Sequence, residues 1–226
     1  MGNRAATMLT LAHLRRQPQL VCFNKLLVGS AFDAFNSDAL NDGKEPLLAL
    51  YRARVLAWHG VHPTAVPKKH RILLVQKKGK RSIANFDDVQ EYVTTRYRSL
   101  ARIATTSFND LTMARQLELV SQTSIAVSPC GGVSMILPFL PEGAYAVLMN
   151  YMIGPKDVRR HGECDGCSWT MEAELWRHVR HVNKMYYQVW GPSDFAKGKP
   201  GHDAAVLVDP DRLSRLIDAA LQEMQP

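Results

Sequence analysis

A cluster of basic residues follows a short apolar segment near the middle of the chain. Residues 76–85 read QKKGKRSIAN, with four cations and one glycine, and Asn85 stands where a helix could begin. Lysine and arginine side chains beside the unpaired N–H groups of a helix start form a site for phosphate. We therefore interpret Lys77, Arg81 and the candidate N-cap Asn85 as a phosphate site, with a solvated basic loop as the alternative.

A second loop of unusual composition, residues 128–132, reads SPCGG and follows the apolar run at 124–128. Paired glycines after a strand allow the backbone to approach a ligand closely, as in nucleotide-binding folds. The spacing is neither that of a dinucleotide-binding fingerprint nor that of a P-loop. A tight turn that needs a positive φ angle is the alternative.

Two carboxylates near the end of the chain are spaced as if to share a metal ion. Asp209 and Asp211 spell D-x-D, the pattern by which metal-dependent transferases hold Mn²⁺. They directly precede residues 212–224, whose apolar residues are helically spaced. We therefore predict that one of the two aspartates is the N-cap of a helix.

Histidines and cysteines between residues 161 and 181 are candidate zinc ligands. Residues 161–167 spell H-x-x-C-x-x-C and residues 178–181 spell H-x-x-H, but the separation differs from that of a Cys₂His₂ finger. Residues 171–186 have a helical apolar stripe, so we predict a helix there with His178 and His181 on its surface. Besides zinc, Cys164 and Cys167 could form a local disulfide or remain free thiols.

The elements that would position these loops alternate along the chain. Buried runs indicate strands, and apolar residues at i, i+3 and i+4 indicate helices. The predicted order is helix 46–58, strand 71–76, helix 86–101, strand 102–106, helix 111–122, strand 124–128, a short helix and strand 144–150. This alternation predicts an α/β fold with a parallel sheet, in which ligands bind beyond the carboxyl ends of the strands. Three aromatic residues are predicted to pack rather than to form a sugar platform, namely Trp176, Tyr187 and Trp190.

The positive charge of the chain is local. The 226 residues include 28 Lys and Arg against 21 Asp and Glu, a net charge of +7. Residues 67–81 contain seven cations and no acid, so the other 21 cations balance the 21 acids. The apolar content of 46% excludes collagen-like and disordered classes. No signal peptide or membrane-spanning segment is predicted, and residues 59–67 read as a linker with a boundary near Pro67.

The two loops together resemble a known family. The succession ILLVQKKGKRSIANFDDV and, further along, TSIAVSPCGGVSMILPFLPEGA is similar to the C-terminal catalytic lobe of glycosyltransferase family 61. In that resemblance Lys77, Arg81, Ile83 and Asn85 match a pair of arginines followed by Ile-x-Asn, with Lys77 in place of one arginine. Residues 128–132 match Gly-Pro-His-Gly-Ala in outline, with Cys130 in place of the histidine. The resemblance covers roughly residues 21–148.

The resemblance implies one lobe of a GT-B type glycosyltransferase, with a Rossmann-like parallel sheet and helices on both faces. Residues 1–66 would be a remnant of the N-terminal lobe and a linker, and residues 67–226 the C-terminal nucleotide-sugar-binding lobe. The implied reaction moves a hexose or pentose from a nucleotide sugar, UDP-linked, to a glycan or protein acceptor, with inversion and without a metal or other cofactor. The implied donor-binding residues are Lys77, Arg81, Asn85, Ser128, Cys130, Gly131 and Gly132.

The general base is expected on the other lobe, so no catalytic residue is assigned. We interpret the chain as a truncated, divergent member of the family, either active or inactive. Family resemblance also implies the lumen of the Golgi or endoplasmic reticulum, a membrane link only through an upstream anchor, and no nucleic-acid partner. The alternative function is a non-catalytic basic module that binds nucleic acid or an anionic polymer, with zinc at Cys164 and Cys167.

Overall fold

The computed structural model describes residues 43–62, 65–151, 178–189, 191–199, 201 and 203–225. All of them belong to one compact unit, Phe32–Pro226. The α-helices are α1 (Glu45–Trp58), α2 (Phe86–Tyr97), α3 (Met113–Ser121) and α4 (Pro210–Glu223). The strands are β1 (Arg71–Val75), β2 (Arg102–Thr106), β3 (Ile125–Ser128), β4 (Tyr145–Tyr151) and β5 (Asn183–Val189). Short 3₁₀ helices span Phe108–Asp110, Gly132–Phe139 and Pro192–Asp194.

Several sequence predictions fall outside the described residues. They concern the start of the region of resemblance, residues 21–42, the H-x-x-C-x-x-C residues His161, Cys164 and Cys167, and the two tryptophans Trp176 and Trp190. The zinc and disulfide interpretations of Cys164 and Cys167 therefore stay predictions. The division into residues 1–66 and 67–226 also stays a prediction.

The five strands form one parallel sheet in the order β2-β1-β3-β4-β5. β1 has the sequence RILLV, and four of its five residues are buried. Such a continuous apolar run is typical of a strand that is covered on both faces. Ile72 and Leu74 point into one core cluster, whereas Leu73 and Val75 point into the other.

Helices cover both faces of this sheet. On one face α2 and α4 pack through apolar residues that include Val89, Val93, Leu213 and Ile217. On the other face lie α1, α3 and the 3₁₀ helix Gly132–Phe139, which contribute Leu56, Leu117, Val120 and Leu137. The prediction of a Rossmann-like α/β fold with helices on both faces is confirmed.

Two of the predicted helices, 86–101 and 111–122, extend beyond the helices of the structure. α2 ends at Tyr97, and Leu100, which lies within the predicted range 86–101, is 61% exposed. α3 begins at Met113, which is 49% exposed, whereas Leu117 and Val120 of the same helix are buried. Residues beyond the last helical turn no longer follow the helical period, so their apolar side chains need not face the core.

The helix predicted across residues 171–186 is wrong at its described end. Residues 183–189 form β5, which pairs with β4 over seven consecutive residues. The spacing of Val179, Val182 and Tyr186 fits a helix, but the backbone pairing along β4 decides the structure. His178, which we expected on the surface, is buried, and His181 is half-buried.

Candidate functional site

The order of the strands identifies one crevice at the edge of the sheet. From β1 the chain crosses to β2 on one side, whereas β3, β4 and β5 follow on the other side. In open parallel sheets a ligand binds outside the carboxyl ends of the strands at such a switch point. The loops that leave β1 and β3 are residues 76–85 and 129–131, the two loops singled out in the sequence.

The structure brings these two loops into contact. The Lys77 ammonium group donates a hydrogen bond of 2.8 Å to the carbonyl oxygen of Cys130. A Cβ atom placed on Gly131 would lie 2.6 Å from Lys77 Nζ and 3.5 Å from the Arg81 guanidinium carbon. Two cations therefore converge on one glycine at the switch point.

Gly131 allows this close approach because of its backbone as well as its size. Its φ is +109° and its ψ is −165°, a combination that is essentially restricted to glycine. The carbonyl of Gly131 accepts a 2.9 Å bond from the Ser134 N–H and a 2.8 Å bond from the Ser134 hydroxyl. These bonds hold the start of the 3₁₀ helix Gly132–Phe139 beside the two cations.

Arg81 is held in an uncommon backbone conformation. Its φ is +58°, and it is the one non-glycine residue with positive φ among the described residues. Its Nε atom is buried and has no hydrogen-bond partner within the described part of the chain. A buried donor without a partner costs free energy, and an anionic ligand is a group that would satisfy it.

A segment from the far end of the chain fixes the basic loop. The Arg81 N–H donates a 3.2 Å bond to the Asp203 carbonyl, and the Lys80 ammonium lies 2.7 Å from the Asp203 carboxylate. The Val206 N–H donates a 2.8 Å bond to the Ser82 carbonyl, and the Val206 carbonyl accepts a 2.7 Å bond from the Ala84 N–H. We call residues 203–208 the clamp segment, because they run along the loop and hold it from Lys80 to Asn85.

The side chain of Asn85 binds the clamp segment and makes no capping bond to α2. Its amide donates a 2.8 Å bond to the Val208 carbonyl and accepts a 2.9 Å bond from the Val208 N–H. Asn85 occupies the N-cap position, but its side chain makes no bond to the helix. Asn85 is therefore the N-cap residue, as predicted, but its side-chain amide binds the Val208 backbone instead of the helix N–H groups. Asp87 and Asp88 lie in the first turn of α2, where their charge complements the helix dipole.

Ser128 and Cys130 turn their side chains away from the crevice. The Ser128 hydroxyl donates to the Pro129 carbonyl at 2.9 Å, and the Cys130 thiol contacts the Met149 carbonyl. Both residues are fully buried. What Cys130 offers the crevice is its backbone carbonyl, which orients Lys77. Gly132, by contrast, is exposed and lines the open cleft described next.

The crevice opens into a cleft of about 510 Å³. Lys77, Lys78 and Gly132 line it together with residues that the sequence analysis missed, namely Phe108, Asn109 and Gln116. The missed residues follow β2, whose carboxyl end lies at the same edge of the sheet. That position after a strand was the signal available in the sequence. Gln116 donates to the carbonyls of Phe108 and Leu111 and so shapes this wall.

The D-x-D residues have structural partners. Asp209 Oδ1 accepts bonds of 2.8 and 3.0 Å from the N–H groups of Asp211 and Arg212, so Asp209 is the N-cap of α4, as predicted. Asp211 accepts a 2.9 Å bond from the Tyr92 hydroxyl. Within the described ranges, no group of three or more His, Cys, Asp or Glu residues could hold a metal ion.

Tyr187 packs in the core, as predicted for this aromatic residue. It is 2% exposed, and its hydroxyl accepts a 2.8 Å bond from the Asp209 N–H. The Arg212 guanidinium lies 4.5 Å from the centre of the ring. This cation–π contact ties α4 to β5 and leaves no ring face open to a sugar.

The two described histidines of the zinc pattern are engaged elsewhere. His178 Nδ1 lies 3.5 Å from the Glu45 carboxylate, and His181 Nε2 lies 2.9 Å from the Pro138 carbonyl. Burial lowers the pKa of His181, so its ring is neutral near pH 7 and donates through Nε2. The two rings therefore connect the turn before β5 to α1 and to the 3₁₀ helix Gly132–Phe139.

Comparison with protein families identifies the region of the chain that contains the crevice. The family model described as Glycosyltransferase 61 matches residues 10–147, more than half of the chain. No curated protein matches the chain. The matched region contains both loops of the crevice and ends within β4, so the clamp segment lies beyond it.

Proposed function

Because the chain belongs to the glycosyltransferase 61 family, we propose that it binds a UDP-linked sugar and transfers the hexose or pentose to a glycan or protein acceptor. The proposal includes inversion at the anomeric carbon and a reaction without a metal ion. It also places residues 67–226 as one lobe of a GT-B type enzyme. The single observation that supports it best is the convergence of Lys77 and Arg81 on Gly131 at the switch point of the sheet.

This arrangement suits a departing nucleoside diphosphate. As the bond from the sugar to the diphosphate breaks, negative charge grows on the phosphate oxygens. Fixed positive groups aimed at the developing charge lower the barrier, because they need no reorganisation during the reaction. Lys77 offers a point charge, and Arg81 offers a planar fork with an unpartnered Nε donor. These two side chains would supply the positive charge in a reaction without metal.

Residue 131 would let the diphosphate approach the backbone. With no Cβ atom at this position, the phosphate oxygens and the two cations could share the space beside the start of the 3₁₀ helix. Asn85 would act indirectly, by holding the loop that carries Arg81 against the clamp segment. We assign no general base, and we place that group on an opposing lobe across the cleft.

The distribution of the cations favours this proposal over the alternative of a nucleic-acid-binding module. Lys68 and Lys69 are exposed before β1, whereas Lys77 and Arg81 lie beyond its other end. At roughly 3.3 Å per residue, the five residues of β1 separate the two groups by about 16 Å. The cations therefore do not form the continuous stripe that tracks a nucleic-acid backbone.

We also propose the lumen of the Golgi or endoplasmic reticulum as the place of action, on the basis of family membership. No helix within the described ranges has the length and apolar character needed to cross a membrane.

Calorimetric titration with UDP tests the donor site. We expect Lys77→Ala and Arg81→Ala each to weaken UDP binding by about tenfold or more, the worth of one charge-assisted hydrogen bond. Lys68→Ala is the matched control, because it removes an exposed cation from the other end of β1. Equal affinity in the wild type, Lys77→Ala and Arg81→Ala would refute the site.

Transfer itself needs a separate measurement. We expect a panel of UDP-sugars with a glycan acceptor to yield product whose anomeric configuration is opposite to that of the donor, as read by nuclear magnetic resonance. The rate should be the same with and without a chelator. Retention of configuration, or loss of activity with chelator that Mn²⁺ restores, would overturn the proposed mechanism while leaving the UDP site intact.

A further inference from the structure

A second concave site lies on the face of the sheet that α1 covers. It has a volume of about 740 Å³, within the range of about 300–1,000 Å³ that is typical of small-molecule sites. Its walls come from α1, the 3₁₀ helix Gly132–Phe139 and the turn at 178–181. We call it the α1 groove. It shares no residue with the basic cleft beside Lys77.

The walls of the α1 groove are mainly apolar. Leu48, Ala49, Tyr51, Met135, Pro138 and Phe139 line it. The rings of Tyr51 and Phe139 lie 6.2 Å apart in a tilted arrangement across it. Tyr51 is 61% exposed, so much of its ring surface is in contact with water in the absence of a ligand. Burial of this surface by an apolar chain would be favourable.

Arg52 brings a charge into these apolar surroundings. Its Nη2 donates a 2.8 Å bond to the Leu140 carbonyl, but its Nε is buried without a partner in the described part of the chain. Burial lowers the pKa of Arg52, and the negative charge of Glu142 partly offsets this effect. An arginine nevertheless stays charged at neutral pH. The groove therefore contains one buried, charged donor that lacks an acceptor.

The other charged groups of the groove are engaged with one another. The Glu45 carboxylate lies 2.9 Å from the Arg180 guanidinium and 3.5 Å from His178 Nδ1. His181 uses Nε2 on the Pro138 carbonyl. A ligand would thus contact the paired charges of Glu45 and Arg180 and the guanidinium group of Arg52.

We propose that the α1 groove binds a single-chain amphiphile, with its aliphatic chain on the apolar walls and a carboxylate head on the Arg52 guanidinium. A purely apolar ligand would cover the guanidinium charge without supplying a counter-charge, which is costly. A phosphate head with a charge near −2 would exceed the single available positive charge in apolar surroundings. A carboxylate matches the guanidinium in both charge and geometry. This site does not depend on the proposed transferase function.

Titration of the full chain with dodecanoate below its micellar concentration tests the proposal. We expect saturable binding by the wild type and binding of dodecanol at least about tenfold weaker, because the alcohol has no charge for Arg52. This comparison uses the wild type alone, so it does not depend on whether a variant folds. No saturable binding of dodecanoate, or equal binding of dodecanol, would overturn the proposal.

Variants then locate the site. Arg52→Met keeps most of the apolar stem and removes the donor, and we expect it to weaken dodecanoate binding by about tenfold or more. Arg54→Met is the matched control, because Arg54 is exposed on the same helix. Ala49→Trp should fill the groove and reduce binding without a change in UDP affinity. Wild-type affinity in Arg52→Met or in Ala49→Trp would place the ligand elsewhere and refute the groove as the site.

Discussion

The Lys77 ammonium nitrogen lies 2.6 Å from the point at which residue 131 would carry a Cβ atom. Real Cβ atoms essentially never lie so close to another heavy atom, so any side chain at position 131 would displace Lys77. The position of the Lys77 side chain therefore depends on the absence of a side chain at residue 131. Lys77 also binds the carbonyl of Cys130, which lies 53 residues further along the chain.

Gly131→Ala should therefore disable the donor site while leaving every charge in place. We expect UDP affinity to fall by about tenfold or more, since Lys77 must move, and unfolding free energy to fall by about 1–3 kcal/mol because of the backbone strain. Calorimetry and urea unfolding measure the two effects. Gly60→Ala is the control, with φ of +67° and no atom within 4 Å of the added Cβ. Wild-type UDP affinity in Gly131→Ala would show that the crevice is not the donor site.

Asn85→Ala tests the clamp segment. The substitution removes both bonds to Val208 and leaves a backbone N–H and a backbone carbonyl unsatisfied. We expect a loss of about 1–3 kcal/mol in unfolding free energy, together with weaker UDP binding because the loop that carries Arg81 loosens. Glu91→Ala, on the exposed side of α2, is the control. If Asn85→Ala lost stability but bound UDP like the wild type, the clamp would be structural alone.

Asp209→Ala separates the capping role from a metal-binding role. Loss of an N-cap side chain costs about 1 kcal/mol, and Asp209→Ser should retain most of the stability because serine is also a good cap. Urea unfolding gives both values. We expect Mn²⁺ to have the same effect on the melting temperature of wild type and Asp209→Ala. Stabilisation by Mn²⁺ in the wild type alone would revive the D-x-D interpretation.

Lys184 should make stability depend on pH in the alkaline range. Its ammonium donates a 2.9 Å bond to the Val179 carbonyl, and burial lowers its pKa to about 8 from 10.5. Between about pH 8 and pH 10.5, Lys184 is protonated in the unfolded chain but neutral in the folded chain. The contribution of Lys184 to the free energy of unfolding therefore rises with pH in this range. Below about pH 8 both states are charged, and the folded state bears the cost of desolvation.

Urea unfolding from pH 7.5 to 9.5 measures this rise, which Lys184→Met should abolish. The window ends below pH 10, because the raised pKa of Tyr145, about 12, acts in the opposite direction at higher pH. A parallel change in wild type and Lys184→Met would assign the pH dependence to other groups.

The sequence predicted the sheet well because its strands are local apolar runs. β1 and β3 are buried along almost their whole length, so composition alone marked them. β5 has an exposed or half-buried residue at five of its seven positions, and its mixed sequence carried no such signal. Its assignment depends on pairing with β4, a contact between distant parts of the chain that local patterns do not encode.

The same distinction applies to the candidate site. Lys77, Arg81 and Gly131 could be found because each lies in a loop of unusual composition that follows a buried strand. The role of Asn85 could not be found in this way, because a helix-start asparagine predicts a cap. Its actual partner, Val208, is 123 residues away, and nothing in the local sequence indicates that pairing.

The clamp segment also has a consequence for the order in which the molecule folds. Parallel strands with crossovers already make folding slow, because distant segments must meet before their contacts stabilise the structure. The basic loop depends on a contact of especially high sequence separation, since Asn85 binds Val208, 123 residues further along the chain. A chain trimmed to the family-matched residues 10–147 would keep Lys77 and Arg81 but lose the segment that holds the backbone of Arg81. Assembly of the anion site thus requires residues 203–208 to be present and in contact with the basic loop.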